Sequence, residues 1–277
     1  MKSQIARDAG TPTILLINDD GIQSLGLLAL KKQLEKLGRL VVVAPKDERS
    51  GIGKALSTNH IKLAETQLRD GSEAIAVSGT PADAFLIAKY KILRRPPDLL
   101  VSGINIGPNL GIDDLFTSGT LGAALEAAVH RVPSIAVSYC TEELAEQQDK
   151  SGKATLEELE FTAVLAQKVA KYVLKHGIPP DVDILSINVP EKIGSKQIKI
   201  TRLSYKEYQD IYTRQGDGYK IIGWALRDYL DDEKGTDLYV VKKEKCVSIT
   251  PVKINLTHRT ESLNGLLKAL NSDLEGN

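Results

Sequence analysis

Two adjacent aspartates, Asp19 and Asp20, follow a short apolar run and precede a stretch with helical spacing. Two carboxylates side by side repel each other, and a divalent cation between them offsets that repulsion and lowers their pKa values. Ser50 and Asn105 offer a hydroxyl and an amide carbonyl on other polar loops. Such an oxygen-only set favours magnesium, manganese or calcium over zinc. Without a cation, one aspartate would cap the next helix and the other would be solvated.

Ser118, Gly119 and Thr120 stand at the start of another helical pattern. A helix N-terminus offers unpaired N–H groups and a partial positive charge, which suit a phosphate. Gly119 would let an anion approach the backbone closely. Ordinary capping by Ser118 or Thr120 is the alternative. A cation beside a phosphate site indicates metal-assisted hydrolysis of a phosphoester, in which the ion activates water and offsets charge on the phosphoryl oxygens.

The composition excludes several other classes of protein. The 36 basic and 36 acidic residues give no net charge, whereas a nucleic-acid binder usually has a basic excess. No apolar run approaches the roughly 20 residues that span a bilayer, and the first ten residues lack the apolar centre of a signal peptide. Cys140 and Cys246 belong to no metal or redox motif, so we expect them to be reduced residues of a cytoplasmic protein.

The first two thirds of the chain alternate between apolar runs typical of buried strands and patterns with helical spacing. The strand-like runs are residues 13–17, 40–44, 74–77, 98–102, 134–138 and 183–190. Predicted helices include one that opens at Pro81 and one that opens with a capping box of Thr155 and Glu158. This order predicts an α/β fold, a mostly parallel sheet with helices on both faces. Ligands bind at the carboxyl ends of such strands. Four polar stretches follow strand-like runs at this edge: Asp19 and Asp20, "PKDERSGIGKALS", "SGTPAD" and "GINIGPNLGIDDLFTSGT".

The character of the sequence changes after Pro190. Short alternating stretches such as "DLYVV" (237–241) and "CVSITPV" (246–252) predict strands, and a short helix is expected around residues 262–270. We therefore predict an α/β core over residues 1–190 and a β-rich extension with a C-terminal helix over residues 191–277. His258 lies in this extension, and its role stays open.

Several motifs, in order, resemble the stationary-phase survival nucleotidase family, SurE. They are "INDDGI", "VVVAPKDERSGIGKALS", "VSGTPADAF", "PDLLVSGINIGPNLG" and "TSGTLGAALEA". The resemblance implies a Rossmann-like core with a β arm that exchanges between subunits, giving a homodimer or homotetramer. It also implies a divalent-metal-dependent 5′/3′-nucleotidase that acts on nucleoside monophosphates.

The resemblance assigns roles to individual residues. The implied metal ligands are Asp19, Asp20, Ser50 and Asn105, and the implied phosphate-binding residues are Asn109, Ser118, Gly119 and Thr120. Asp19, Asp20 and Asn109 are the candidate catalytic residues, and the cofactor is one divalent ion, Mg²⁺ or Mn²⁺. The alternative function is a non-catalytic nucleotide- or phosphate-binding protein. A pure phosphate binder has no need of two carboxylates near an anion, so the acidic pair favours the enzyme. We expect neither nucleic acid nor a membrane as a partner.

Overall fold

The computed structural model describes residues 10–141, 154–194, 197–205, 211–221 and 233–275. A nine-stranded sheet crosses the centre of this structure. Its strands are β1 (Thr13–Ile17), β2 (Arg39–Pro45), β3 (Leu63–Gln67), β4 (Glu73–Val77), β5 (Leu99–Ile106), β6 (Ser134–Cys140), β7 (Ile184–Pro190), β8 (Ile198–Ile200) and β11 (Val247–Val252). They lie in the order β3-β4-β2-β1-β5-β6-β7-β11-β8. A separate hairpin pairs β9 (Tyr212–Gln215) with β10 (Gly218–Ile221).

The six strands from β4 to β7 in the sheet run parallel, and the predicted α/β fold is confirmed. β3 and β11 run antiparallel to their neighbours β4 and β7. Every residue of β1 is buried, which explains its continuous apolar run, because a central parallel strand is covered on both faces.

Helices cover both faces of the sheet. They are α1 (Leu25–Leu34), α2 (Pro81–Ile87, continued by a π-helical turn), α3 (Gly111–Thr117), α4 (Gly119–Val129), α5 (Leu156–His176), α6 (Asp237–Lys242) and α7 (Asn264–Glu275). α1 packs with α5, and α2 packs with α4. Successive residues of β1 divide between these layers: Ile14 and Leu16 join the α1–α5 core, whereas Leu15 and Ile17 join the α2–α4 core. The predicted capping box is confirmed: the Thr155 hydroxyl accepts the Glu158 N–H at 3.3 Å, and the Glu158 carboxylate accepts the Thr155 N–H at 2.6 Å.

One predicted strand is wrong. Residues 237–241 form the start of α6 rather than a strand. A run of five mostly apolar residues does not distinguish a strand from a short buried helix, and the flanking residues decide the outcome here. Gly235 turns the chain at a φ of 80°, and the Thr236 hydroxyl then accepts the Tyr239 N–H as an N-cap.

The sheet extends past residue 190. β8 and β11 are the described strands after residue 190 that belong to it. β11 lies between β7 and β8, so neither forms a separate β layer. The β9–β10 hairpin is the described part of the extension that leaves this sheet. α7 exposes a row of leucines: Leu263, just before it, and Leu266, Leu267, Leu270 and Leu274 are 50 to 76 % exposed. No helix within the described segments is long and apolar enough to cross a bilayer.

Candidate functional site

Asp19 and Asp20 lie just beyond the carboxyl end of β1, where two neighbouring loops meet them. The Asp19 carbonyl accepts the Arg49 N–H at 2.7 Å, which fixes the loop after β2. The Asp20 carboxylate accepts the Ile106 N–H at 3.2 Å, which fixes the end of β5. The three segments that carry the predicted metal ligands therefore converge at one point on the carboxyl edge of the sheet.

The N-terminus of α4 lies directly against Asp19. The Thr120 hydroxyl donates to Oδ1 of Asp19 at 2.5 Å, and both side chains are buried. A methyl group on Gly119 would lie 2.7 Å from Cβ and 2.9 Å from Oδ2 of Asp19. It would also lie 3.1 Å from the Arg49 carbonyl. Only glycine permits this close approach of a helix N-terminus to a carboxylate and a second loop.

Ser118 is the N-cap of α4, since its hydroxyl accepts the Leu121 N–H at 3.3 Å. The capping alternative is therefore correct for the Ser118 side chain, and Thr120 instead binds Asp19. The first backbone N–H groups of a helix have no acceptor within it. Gly119 and Thr120 are the first two residues of α4, and this first turn lies beside Asp19.

Ser50 is exposed, and its hydroxyl donates to the Glu48 carboxylate. Its loop, residues 46–57, is held against α2, α3 and α4 by backbone and side-chain contacts. These contacts are the Gly53 N–H on the Thr117 carbonyl at 2.7 Å, an ion pair of Lys54 with Glu126, the Thr80 hydroxyl on the Ala55 carbonyl at 2.7 Å, and the Ser57 hydroxyl on Asp83 at 2.6 Å. The loop that carries Ser50 is thus held by three helices, α2, α3 and α4.

Asn105 owes its orientation to an irregularity in β5. The pairing of β5 with β6 shifts register between Ser102 and Asn105, so the strand bends at its carboxyl end. The Asn105 amide nitrogen donates to the Gly107 carbonyl at 2.9 Å, which directs its carbonyl oxygen the other way. The Tyr139 carbonyl holds the Gly107 N–H at 2.9 Å. Burial raises the pKa of the Tyr139 phenol to about 12.

Asn109 is buried, and Asn188 on β7 forms two hydrogen bonds with its backbone. Oδ1 of Asn188 accepts the Asn109 N–H at 3.1 Å, and its amide nitrogen donates to the Asn109 carbonyl at 2.9 Å. The Asn109 amide nitrogen donates to the Ser138 hydroxyl at 2.9 Å. Sequence reasoning missed Asn188 and Ser138. Their position in the last residues of strands that end at the site was the signal that could have found them.

The donor set fits a hard divalent cation. Asp19 and Asp20 offer carboxylates, Ser50 a hydroxyl and Asn105 an amide carbonyl, and these residues lie on three segments that converge at the carboxyl edge of the sheet. No group of three or more His, Cys, Asp or Glu side chains within the described segments could hold a metal ion. A cation at this edge would therefore combine two carboxylates with neutral oxygen donors, which is the donor chemistry of magnesium and manganese.

Known proteins share both the sequence and the architecture. The profile of the family described as "Survival protein SurE" matches residues 14–210. A relative called 5'-nucleotidase SurE from Methanobrevibacter smithii is 38 % identical over 258 residues, covering 92 % of this chain and 99 % of its own length. Its namesake from Archaeoglobus fulgidus is 40 % identical over 251 residues, covering 90 % and 94 %.

A solved structure agrees with these relatives. The crystal structure of the SurE protein from Aquifex aeolicus superposes with a TM-score of 0.72 at 34 % identity, covering 94 % of this chain and all of the other. The family match spans every residue of the candidate site, from Asp19 to Thr120. The chain therefore belongs to the SurE family.

Proposed function

We propose that this protein is a divalent-metal-dependent phosphomonoesterase that hydrolyses nucleoside monophosphates, a 5′/3′-nucleotidase. The observation that carries the proposal is the contact between Asp19 and the first turn of α4. It brings a cluster of oxygen donors and a helix N-terminus within a few ångströms of each other, as hydrolysis of a phosphate ester requires. The names of the relatives agree with this activity.

In this proposal Asp19, Asp20, Ser50 and Asn105 hold one ion, Mg²⁺ or Mn²⁺. Such an ion supplies a Lewis acid and lowers the pKa of a bound water. Thr120 fixes the Asp19 carboxylate through its hydroxyl, so this oxygen is oriented before a substrate arrives.

The phosphate group would meet the start of α4. The N–H groups of Gly119 and Thr120 and the partial charge of the helix end would receive its oxygens. Asn109 would donate its second amide hydrogen to another oxygen, since Ser138 binds only the first. These donors belong to buried, packed elements and need not reorganise as negative charge develops.

A non-catalytic nucleotide- or phosphate-binding protein is the second candidate. It would use the same helix N-terminus, but it would gain nothing from Asp19 and Asp20, since carboxylates repel an anion. The test is release of inorganic phosphate from a panel of nucleoside 5′- and 3′-monophosphates, with chelator alone and with added Mn²⁺ or Mg²⁺. Metal-dependent release supports the enzyme. Nucleotide binding without release under any metal would instead establish the binding protein.

We also propose that the protein forms a homodimer or homotetramer through residues 191–277. The β9–β10 hairpin leaves the central sheet, and a hairpin is rarely stable alone. The exposed leucines of α7 form an apolar row that a second copy of the chain could cover. Light scattering at micromolar concentration tests this assembly, and a monomer would contradict it. We also propose a cytoplasmic location, in which the free, buried Cys140 and Cys246 would stay reduced.

A further inference from the structure

The backbone N–H group of every residue from Asn109 to Ile112 is held, and three of the four acceptors lie in distant parts of the chain. Each of these four successive N–H groups donates to a different acceptor. The acceptors are, in order, Oδ1 of Asn188 at 3.1 Å, Oδ2 of Asp114 at 2.6 Å, Oδ2 of Asp237 at 2.7 Å and the carbonyl of Ser204 at 2.9 Å. This segment, which we call the substrate loop, carries Asn109 and leads directly into α3 and Ser118.

Asp237 differs from the other acceptors because it contributes a fully buried carboxylate from the C-terminal extension. One oxygen accepts the Gly111 N–H, while the other accepts the N–H of Ser204 at 2.9 Å and of Leu238 at 2.8 Å. Hydrogen bonds to a charged acceptor are about twice as strong as neutral ones, and a buried carboxylate depends on them. Asp237 is 126 residues from Gly111 in sequence.

This carboxylate sits where the hairpin segment leaves and re-enters the body of the protein. Arg202, before the hairpin, pairs with Thr236, after it. The Asp237 N–H donates to the Arg202 carbonyl at 2.9 Å, and the Arg202 N–H donates to the Gly235 carbonyl at 3.2 Å. Asp237 therefore joins both ends of the segment that carries β9 and β10 to the first residue of α3.

We propose that Asp237 is a positioning residue. Through it, the geometry of the phosphate site depends on Arg202 and residues 235–237, where the segment that carries β9 and β10 begins and ends. Gly111 is both two residues after Asn109 and the first residue of α3, which ends next to Ser118. A shift at Gly111 is therefore passed first to Asn109, which is two residues away on the same held segment. The metal ligands Asp19 and Asp20 are anchored separately, through Thr120 and Ile106. The inference rests on the proposed phosphate site.

The test compares wild type with Asp237→Asn. This change keeps the shape of the side chain but replaces one acceptor oxygen with an NH₂ group that cannot accept a backbone N–H. We expect Mn²⁺-dependent affinity for inorganic phosphate to weaken about ten-fold and KM for a nucleotide to rise similarly. The affinity for Mn²⁺ should stay unchanged. Faster amide hydrogen exchange at residues 110–112 should accompany these losses.

The matched control is Asp183→Asn. Asp183 also accepts a backbone N–H, that of Ile254 at 2.8 Å, but it precedes β7 at the opposite edge of the sheet. Asp183→Asn should lower the melting temperature without changing phosphate affinity.

Thr236→Ala is the milder second variant, because it removes the N-cap of α6 and leaves the Asp237 carboxylate intact. It should weaken phosphate binding in the same direction, and it decides the matter if Asp237→Asn does not fold.

A lower melting temperature with unchanged phosphate affinity in both variants would overturn the proposal, as would parallel loss of Mn²⁺ affinity. Failure of the proposed function is distinguishable, because wild type would then release no phosphate from any nucleotide. In that case amide exchange at residues 110–112 still decides whether Asp237 fixes the substrate loop. Unchanged exchange in Asp237→Asn would refute it.

Discussion

The Thr120 hydroxyl binds Oδ1 of Asp19 across 101 residues of sequence, at 2.5 Å and in a buried setting. This bond places a residue that sequence reasoning assigned to phosphate in contact with a candidate metal ligand. The start of α4 and the end of β1 therefore form one unit, in which the orientation of the carboxylate depends on the helix.

Thr120→Val removes this hydroxyl while keeping the shape of the side chain. We expect a 10–100-fold loss of Mn²⁺ affinity or of kcat/KM, the range typical of residues that support a metal ligand. Calorimetric titration with Mn²⁺ and steady-state phosphate release measure the two quantities. Thr120→Ser keeps the hydroxyl and should retain most of the activity, so equal losses in both variants would point to packing instead.

Removal of the metal should abolish phosphate release, and added Mn²⁺ or Mg²⁺ should restore it. Asp19→Asn should lower kcat by more than about 100-fold, beyond the effect of a residue that only supports a ligand. Circular dichroism should show an intact fold, because the change removes a buried charge. Full activity in protein freed of metal, with the metal content measured, would contradict the proposed chemistry.

Gly119→Ala should damage both metal binding and phosphate binding. The added methyl would lie 2.7 Å from Cβ of Asp19 and 3.1 Å from the Arg49 carbonyl, and neither group is the end of a flexible side chain. We expect a higher KM together with weaker Mn²⁺ affinity. A matched change at Gly265, where a methyl would meet nothing within 4 Å, should affect neither. Normal Mn²⁺ affinity in Gly119→Ala would mean that Asp19 can move aside.

Asp70 gives a prediction about stability at low pH. The Ser72 hydroxyl, the Ser72 N–H and the Lys31 ammonium bind its carboxylate and lower its pKa to about 2. A lowered pKa contributes stability that is complete above about pH 4 and is lost as the pH falls through about 2. The difference in melting temperature between wild type and Asp70→Asn should therefore shrink over this interval. A difference that is constant with pH would contradict the shift.

The sequence predicted the elements and motifs that are local in the chain. The apolar run of β1 and the Thr155 capping box each depend on residues within a few positions of one another. The convergence of the polar loops also followed, because parallel strands end at one edge of a sheet.

Contacts that depend on the packing of distant segments could not be predicted. Asn188 and Asp237 reach the substrate loop across 79 and 126 residues. The position of Asn188 near the end of β7 indicates that it lies at the site but does not identify Asn109 as its partner, and nothing in the local sequence of Asp237 marks it as a partner of Gly111. The contact between the Thr120 hydroxyl and Asp19 was not predicted for the same reason. This contact depends on how closely α4 packs on the sheet, and Gly119 decides that distance.

Because Asp237 binds Gly111 across 126 residues, parts of the candidate site can fold at different times during synthesis. A ribosome releases Asp19, Asn109 and Thr120 long before residue 237, so a growing chain can complete β1 to α4 while the Gly111 N–H still lacks its acceptor. Such a chain would contain every candidate metal ligand but an unfinished substrate loop. Contacts so distant in sequence also form slowly. Metal affinity should therefore precede phosphate affinity as the protein folds.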